Sequence, residues 1–222
     1  MFGLDLITIG ILHLAAVNKE IQCQKLMSPK ISVLSTKSHV RYNYSLSTED
    51  LNRIDIDTVS PYGSDVATHV GGIMSGDIYI EPHVDFFLER YPSASMGCVH
   101  IRSVHVRIDI NPTIYIASNY SKGSCEYNAI LNHEKKHAKA DQLIVSRFSK
   151  LFEQDLRQSV QKIGVNPGPF PETKLVDIQK NIQTTLDQAI KKRRKQMNSE
   201  RYSLQQAIDS EEEYQRVAAE CF

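Results

Sequence analysis

Residues 124–141 read SCEYNAILNHEKKHAKAD. Within them, His133-Glu134-Lys135-Lys136-His137 is an H-E-x-x-H. Residues four apart on a helix lie one above the other on the same face. Two imidazoles at that spacing can share one zinc ion at about 2.0–2.1 Å. The Glu beside the first His is then placed to act as general base on a metal-activated water. The surroundings favour a helix. Ser124 is a good N-cap, and Glu126 suits the positive end of the helix that follows. Ala129, Ile130, His133, His137 and Ile144 fall on one stripe, so the imidazoles point where the apolar residues point. No Gly or Pro interrupts the chain from Glu126 to Ile163. Helical spacing of Phe148, Leu151, Phe152, Leu156 and Val160 predicts one helix to about residue 163.

This stretch resembles the active-site helix of the zincin metallopeptidases and is most similar to that of small secreted bacterial zincin-like proteins. The similarity spans about Val99–Phe152. It implies an α+β zincin-like domain, with a small β-sheet packed on the long H-E-x-x-H helix. It further implies peptide-bond hydrolysis with Zn2+ as cofactor, His133 and His137 as metal ligands and Glu134 as catalytic base. A peptide or protein substrate would lie extended along an edge strand. The chain departs from the metzincin pattern because no Gly and third His follow His137. The third ligand is therefore not named by the motif.

The rest of the chain offers candidates. Asn166-Pro167-Gly168-Pro169 ends the helix, and a second helical stretch runs from about Glu172 toward the C-terminus, with a break or new cap at Asn198-Ser199. The two predict a long antiparallel helical hairpin projecting from the metal-binding domain, with Leu204–Phe222 docking back on it. A return centred near Gly168 brings residues 200–203 opposite 133–137. Glu200 is the carboxylate there and a candidate third ligand; a surface charge is the other reading of it. Tyr202, its neighbour, could donate to a developing oxyanion. Asp141 is the rival ligand, but side chains on a helix lean toward its N-terminus, and Asp141 reads better as the group that orients the His137 ring. His100 and His105 are further possible ligands or ordinary polar-face strand residues. The basic run Lys191–Lys195 reads as a solvated helix face.

Residues 30–118 read as mostly strand. Ser47-Thr48-Glu49-Asp50 predicts a short capped helix, and Ile73–Ile80 a strand. Val99–Ile110 alternates, with a slip at Ser103 that requires a β-bulge. Asn111-Pro112 then predicts a turn into Thr113–Ala117, a hairpin just before the H-E-x-x-H helix. Leu6–Val17 is too short to span a bilayer comfortably and fits an export signal within residues 1–22, although Asp5 and the lack of Lys or Arg before it count against this. Residues 23–141 would form the metal-binding domain and 142–222 the hairpin. The expected location is periplasmic or secreted. Four Cys allow three full pairings. Cys98 with Cys125 would fasten the helix to its sheet, leaving Cys23 with Cys221. Net charge is zero, so nothing calls for nucleic acid. A rival function is a non-catalytic envelope or partner-binding protein, with the hairpin as its surface and the metal site structural or vestigial.

Overall fold

Alternating Val104, Val106, Ile108 and Ile110 give strand β5 (Met96–Ile110) one fully apolar face, and all four are buried. The structure, a computed structural model, describes residues 21–25, 27–36, 39–54, 58–62, 70–164 and 168–221. Residues 1–20 of the expected export segment and residues 165–167 of the expected turn lie outside these. Strand β5 is the centre of a sheet with β1 (Lys30–Ser35) parallel on one side and β4 (Ile78–Tyr91) antiparallel on the other. A two-residue strand, β7 (Phe170–Pro171), pairs with the start of β5. The slip in the apolar alternation is a real bulge: Asp85 pairs with Ser103 and Phe86 with Ile101, leaving Arg102 as the extra residue.

A second sheet has the order β2 (Arg41–Asn43), β6 (Thr113–Ile116), β3 (Gly72–Ser75). The expected hairpin of β5 with β6 is not formed. The antiparallel partner of β5 is β4, joined to it through a 3-10 turn at Pro92–Ala94. Strands β3 and β4 run on opposite β6 and β5 as one ribbon that bends between the sheets. Pro112 lies at the bend and has no N–H to give to a ladder. Gly76 faces it so closely that a Cβ there would lie 3.0 Å from Pro112 Cα. Asn111-Pro112 is therefore a kink, not a reversal.

Helix α1 (Thr48–Leu51) has the predicted capping box between Ser47 and Asp50. Helix α2 (Cys125–Ile163) begins at the Ser124 cap, and Gly164, at φ 86°, ends it with its N–H on the last carbonyls. Helix α3 (Leu175–Ile208) runs through Asn198-Ser199 without a break. The break comes at Asp209-Ser210, before α4 (Glu211–Ala219). The first half of α2 covers the second sheet through Tyr127 and Ala138, against Ile114 and Ile116. Its second half packs Ile144, Phe148, Phe152 and Leu156 on the apolar face of β5, with Leu186, Ile190 and Met197 of α3. Burying Phe148 and Phe152 contributes about 1.5–3 kcal/mol each. The long helix pair is thus laid on the first sheet along its length and does not project.

The disulfides join Cys23 to Cys98 and Cys125 to Cys221, with Cα–Cα distances of 5.9 and 5.6 Å. The expected Cys98–Cys125 pairing is wrong for the same reason as the hairpin. Because β6 does not fold back on β5, the dozen residues from Cys98 to Ile110 carry the chain about 40 Å away from Cys98. Two disulfides are compatible with an exported protein. Among the described residues no helix is long and apolar enough to cross a membrane.

Candidate metal centre

Helix α2 places His133, Glu134 and His137 on its buried face, each under a tenth exposed. Asp209 arrives from the opposite side as the C-cap of α3. His133 Nε2 and His137 Nε2 are 3.2 Å apart, and each is 3.1 Å from Asp209 Oδ1. Three donor atoms bonded to one first-row divalent cation at about 2.0–2.1 Å lie about 3.0 Å apart on an octahedral face and about 3.3 Å apart on a tetrahedral one. The observed triangle falls between the two, so these residues could hold such a cation.

The partners on the outer side of each ring settle which atoms face inward. His133 Nδ1 is 3.3 Å from Glu213 Oε1, and His137 Nδ1 is 2.5 Å from Gln205 Oε1. Each Nδ1 therefore donates outward, and each Nε2 turns a lone pair to the centre. Glu213 is itself held by Lys136 and Arg216, which keep its carboxyl well below the usual range despite partial burial. Gln205 Nε2 donates to Asp141 Oδ1 at 2.6 Å, and the fully buried Asp141 also accepts from Arg201 Nε at 2.7 Å.

Burial pushes the Glu134 carboxyl up to about 7, against the pull of the two imidazoles and the Met74 N–H. Burial likewise opposes ionisation of Asp209, but without a cation any proton that an imidazole shares with it holds its carboxyl far below the ordinary carboxylate value. The same Asp209 contact raises His137 against the effect of its burial. The Tyr214 hydroxyl donates to Asp209 Oδ1 at 3.3 Å. Burial, and the charges of Asp209 and Glu134, raise its pKa, so the phenol keeps its proton.

No protein-family model, curated protein or solved structure matches this chain.

The structure thus brings together three of the sequence candidates and relocates the others. Glu200 is not at the centre: its Oε2 pairs with Arg147 Nη1 at 2.7 Å. Tyr202 is 47 % exposed and does not line the cleft. Asp141 reaches the His137 ring only through Gln205. His100 pairs with Glu89 and His105 with Ser32, both on the first sheet. Glu89 and His100 form a second cluster with Cys98, whose sulfur is committed to its disulfide.

The reason that Asp209, and not Glu200, is the candidate third ligand is register. His137 with Gln205 and His133 with Asp209 are both centred on residue 171, not 168. The connection continues past Gly168 into β7 before α3 begins. Asp209, Gln205, Glu213 and Tyr214 were all missed. One signal could have found them: Ser210-x-x-Glu213 is a helix-start pattern directly after Asp209. Ser210 does cap α4 through the Glu213 N–H, while the Glu213 carboxylate turns to His133 instead.

Proposed function

We propose that this chain is a zinc-dependent hydrolase of peptide bonds that acts outside the cytoplasm. One observation carries the reading: three inward-facing acceptor atoms converge at 3.1–3.2 Å beside the buried carboxyl of Glu134, in a cleft that Glu134 itself lines. Three acceptors at that spacing repel one another unless a cation or protons lie between them. Three protein donors leave a position open toward the cleft, the pattern of catalytic rather than structural zinc. A buried carboxylate next to the donors serves proton transfer, which favours hydrolysis over electron transfer. Zinc bound there supplies Lewis-acid polarisation of a carbonyl and of a water molecule.

The chain's own residues do the rest. The Glu134 carboxylate takes a proton from the attacking water and delivers it to the leaving amine as the C–N bond breaks. A carboxyl lifted to about 7 is suited to both transfers near neutral pH. Tyr214, kept protonated, takes the role expected of Tyr202 and donates to the developing oxyanion. Asp209, Gln205 and Glu213 fix the two imidazoles. The edge of β3, which pairs only with β6 among the described residues, offers backbone groups to an extended peptide. The two disulfides, which persist in oxidising compartments, support a location outside the cytoplasm. Glu134→Gln tests the reading. It should keep about one zinc per chain and lose hydrolysis of a peptide library by a factor of at least about 100; full activity in that variant contradicts it.

A further inference from the structure

Cys98 and His100 are two apart on β5, so both point to one face of the first sheet. Glu89 of β4 pairs directly with Cys98, which puts its carboxylate on the same face. Ile101, next along β5, turns to the core under α2 and α3, so the three lie on the face away from the helices. Cys98 is nonetheless fully buried, and Glu89 and His100 are nearly so. Residues 21–25 are tied over them. Cys23 is bonded to Cys98, the Gln24 N–H donates to Glu89 Oε2 at 3.2 Å, and the Tyr91 hydroxyl donates to the Gln22 carbonyl at 3.1 Å. A disulfide needs only its two sulfurs. The buried His–Glu pair beside it costs desolvation that an S–S bond does not require.

His100 Nε2 is 3.1 Å from Glu89 Oε2, and one ligating atom from each of Glu89, Cys98 and His100 lies within 4.8 Å of the other two. On one tetrahedral zinc ion, nitrogen and oxygen donors lie about 3.3 Å apart and sulfur and nitrogen about 3.5 Å. The fourth donor is the Cys23 sulfur, which the disulfide already brings to Cys98. Two thiolates, one imidazole and one carboxylate fill the coordination of zinc and leave no position for water, the pattern of a structural site. The Tyr91 hydroxyl, 2.6 Å from Glu89 Oε1, orients the carboxylate from its outer side.

We propose that reduction of Cys23–Cys98 opens a second zinc site, in which Cys23, Cys98, His100 and Glu89 hold one cation and keep residues 21–25 tied to the first sheet. A dithiol supplies the two electrons. Its thiolate attacks the Cys23 sulfur, because Cys98 is fully buried. The S–S bond breaks, the dithiol closes to its own disulfide, and both cysteines are released as thiols. Zinc takes them as thiolates, and their two protons pass to solvent. His100 turns its Nε2 lone pair to the cation and keeps its proton on Nδ1. Oxidising surroundings favour the bond at this place, and reducing surroundings with zinc favour the metal.

The probe is Co2+, because a cobalt–thiolate bond absorbs in the near ultraviolet and a site of imidazole and carboxylate donors does not. The centre at His133 and His137 is therefore silent. The full chain should show no such band with its disulfides intact. After treatment with a phosphine reductant it should show one, removed by about one equivalent of Zn2+. The band should survive replacement of Cys125 and Cys221 by Ser. Co2+ should bind at least about tenfold more weakly in His100→Ala and in Glu89→Gln. Cys23→Ser leaves the other disulfide in place and three of the four donors free. It should give a weaker band with no reductant, which keeps the test valid if the reduced chain unfolds. In the reduced chain, Zn2+ should slow amide exchange at Gln24. No band in either the reduced chain or Cys23→Ser would overturn the proposal. So would a band indifferent to His100→Ala, a band lost with Cys125 and Cys221, or Gln24 exchange that Zn2+ leaves unchanged.

Discussion

At the candidate metal centre each imidazole is held on its outer nitrogen, and the two holders differ. Gln205 bridges His137 to Asp141 and receives no charge of its own. Gln205→Leu removes these two bonds and a third, from Gln205 Nε2 to the His137 carbonyl, and leaves the His137 Nδ1–H and the Asp141 carboxylate each short of a partner. Zinc affinity should fall by about 10–100-fold, read by competition with a chromogenic chelator; unchanged affinity would mean that Gln205 does not position the ring. Far from the centre, Glu89 is buried beside the Cys23–Cys98 bond. Burial opposes its ionisation, but the Tyr91 hydroxyl, the Gln24 N–H and His100 hold its pKa below the ordinary 4.5. A carboxyl depressed in the folded state contributes stability that is full above its unfolded value and is lost as pH falls through the folded one. The melting temperature should therefore drop between about pH 5 and pH 3, and drop less steeply in Glu89→Gln. Parallel curves for the two proteins would rule this contribution out.

Two elements set the cleft walls, β3 and α4. Strand β3 approaches α2 through Gly72, where a Cβ would lie 2.5 Å from Ile130 Cγ2 and 3.0 Å from both Glu134 Cγ and the Tyr115 carbonyl. Gly72→Val should push β3 off the helix and carry the Met74 N–H away from Glu134, lowering kcat/KM at least tenfold with zinc retained. Retained kcat/KM would show that the strand's approach is not needed. Helix α4 has no fully buried residue and is tied to α2 by Cys125–Cys221. Helix α2 was legible from its Ser124 cap to Ile163 because its cap, its apolar stripe and its lack of Gly or Pro agree. The two His and the buried Glu came with it, since helical spacing alone puts them on one face. Helix α3 was legible as a helix but not in register. Its side chains meet α2 according to the path of the connection between them, and local spacing carries no information about that path. A shift of three residues in the centre of the return exchanges Glu200 for Asp209.

Over the whole molecule, the long-range ties were the least legible. Val104 to Ile110 revealed a strand and its bulge, yet nothing local distinguishes a kink at Asn111-Pro112 from a reversal. That one ambiguity misplaced β6 and, with it, the cysteine pairing. The two disulfides close segments separated by 75 and 96 residues. Replacing Cys125 and Cys221 by Ser together should cost about 2–4 kcal/mol in urea unfolding, mainly by freeing the unfolded chain; a loss near zero would place stability in the helix and sheet core alone. In the reading proposed above, Asp209, brought in by α3, completes a metal centre with His133 and His137. The direct measurement is metal content by elemental analysis of the zinc-supplemented chain, beside Asp209→Ala and Glu200→Ala. About one zinc per chain, kept in Glu200→Ala and lost in Asp209→Ala, is the expected result. No zinc in the unaltered chain, or full zinc in Asp209→Ala, would contradict it.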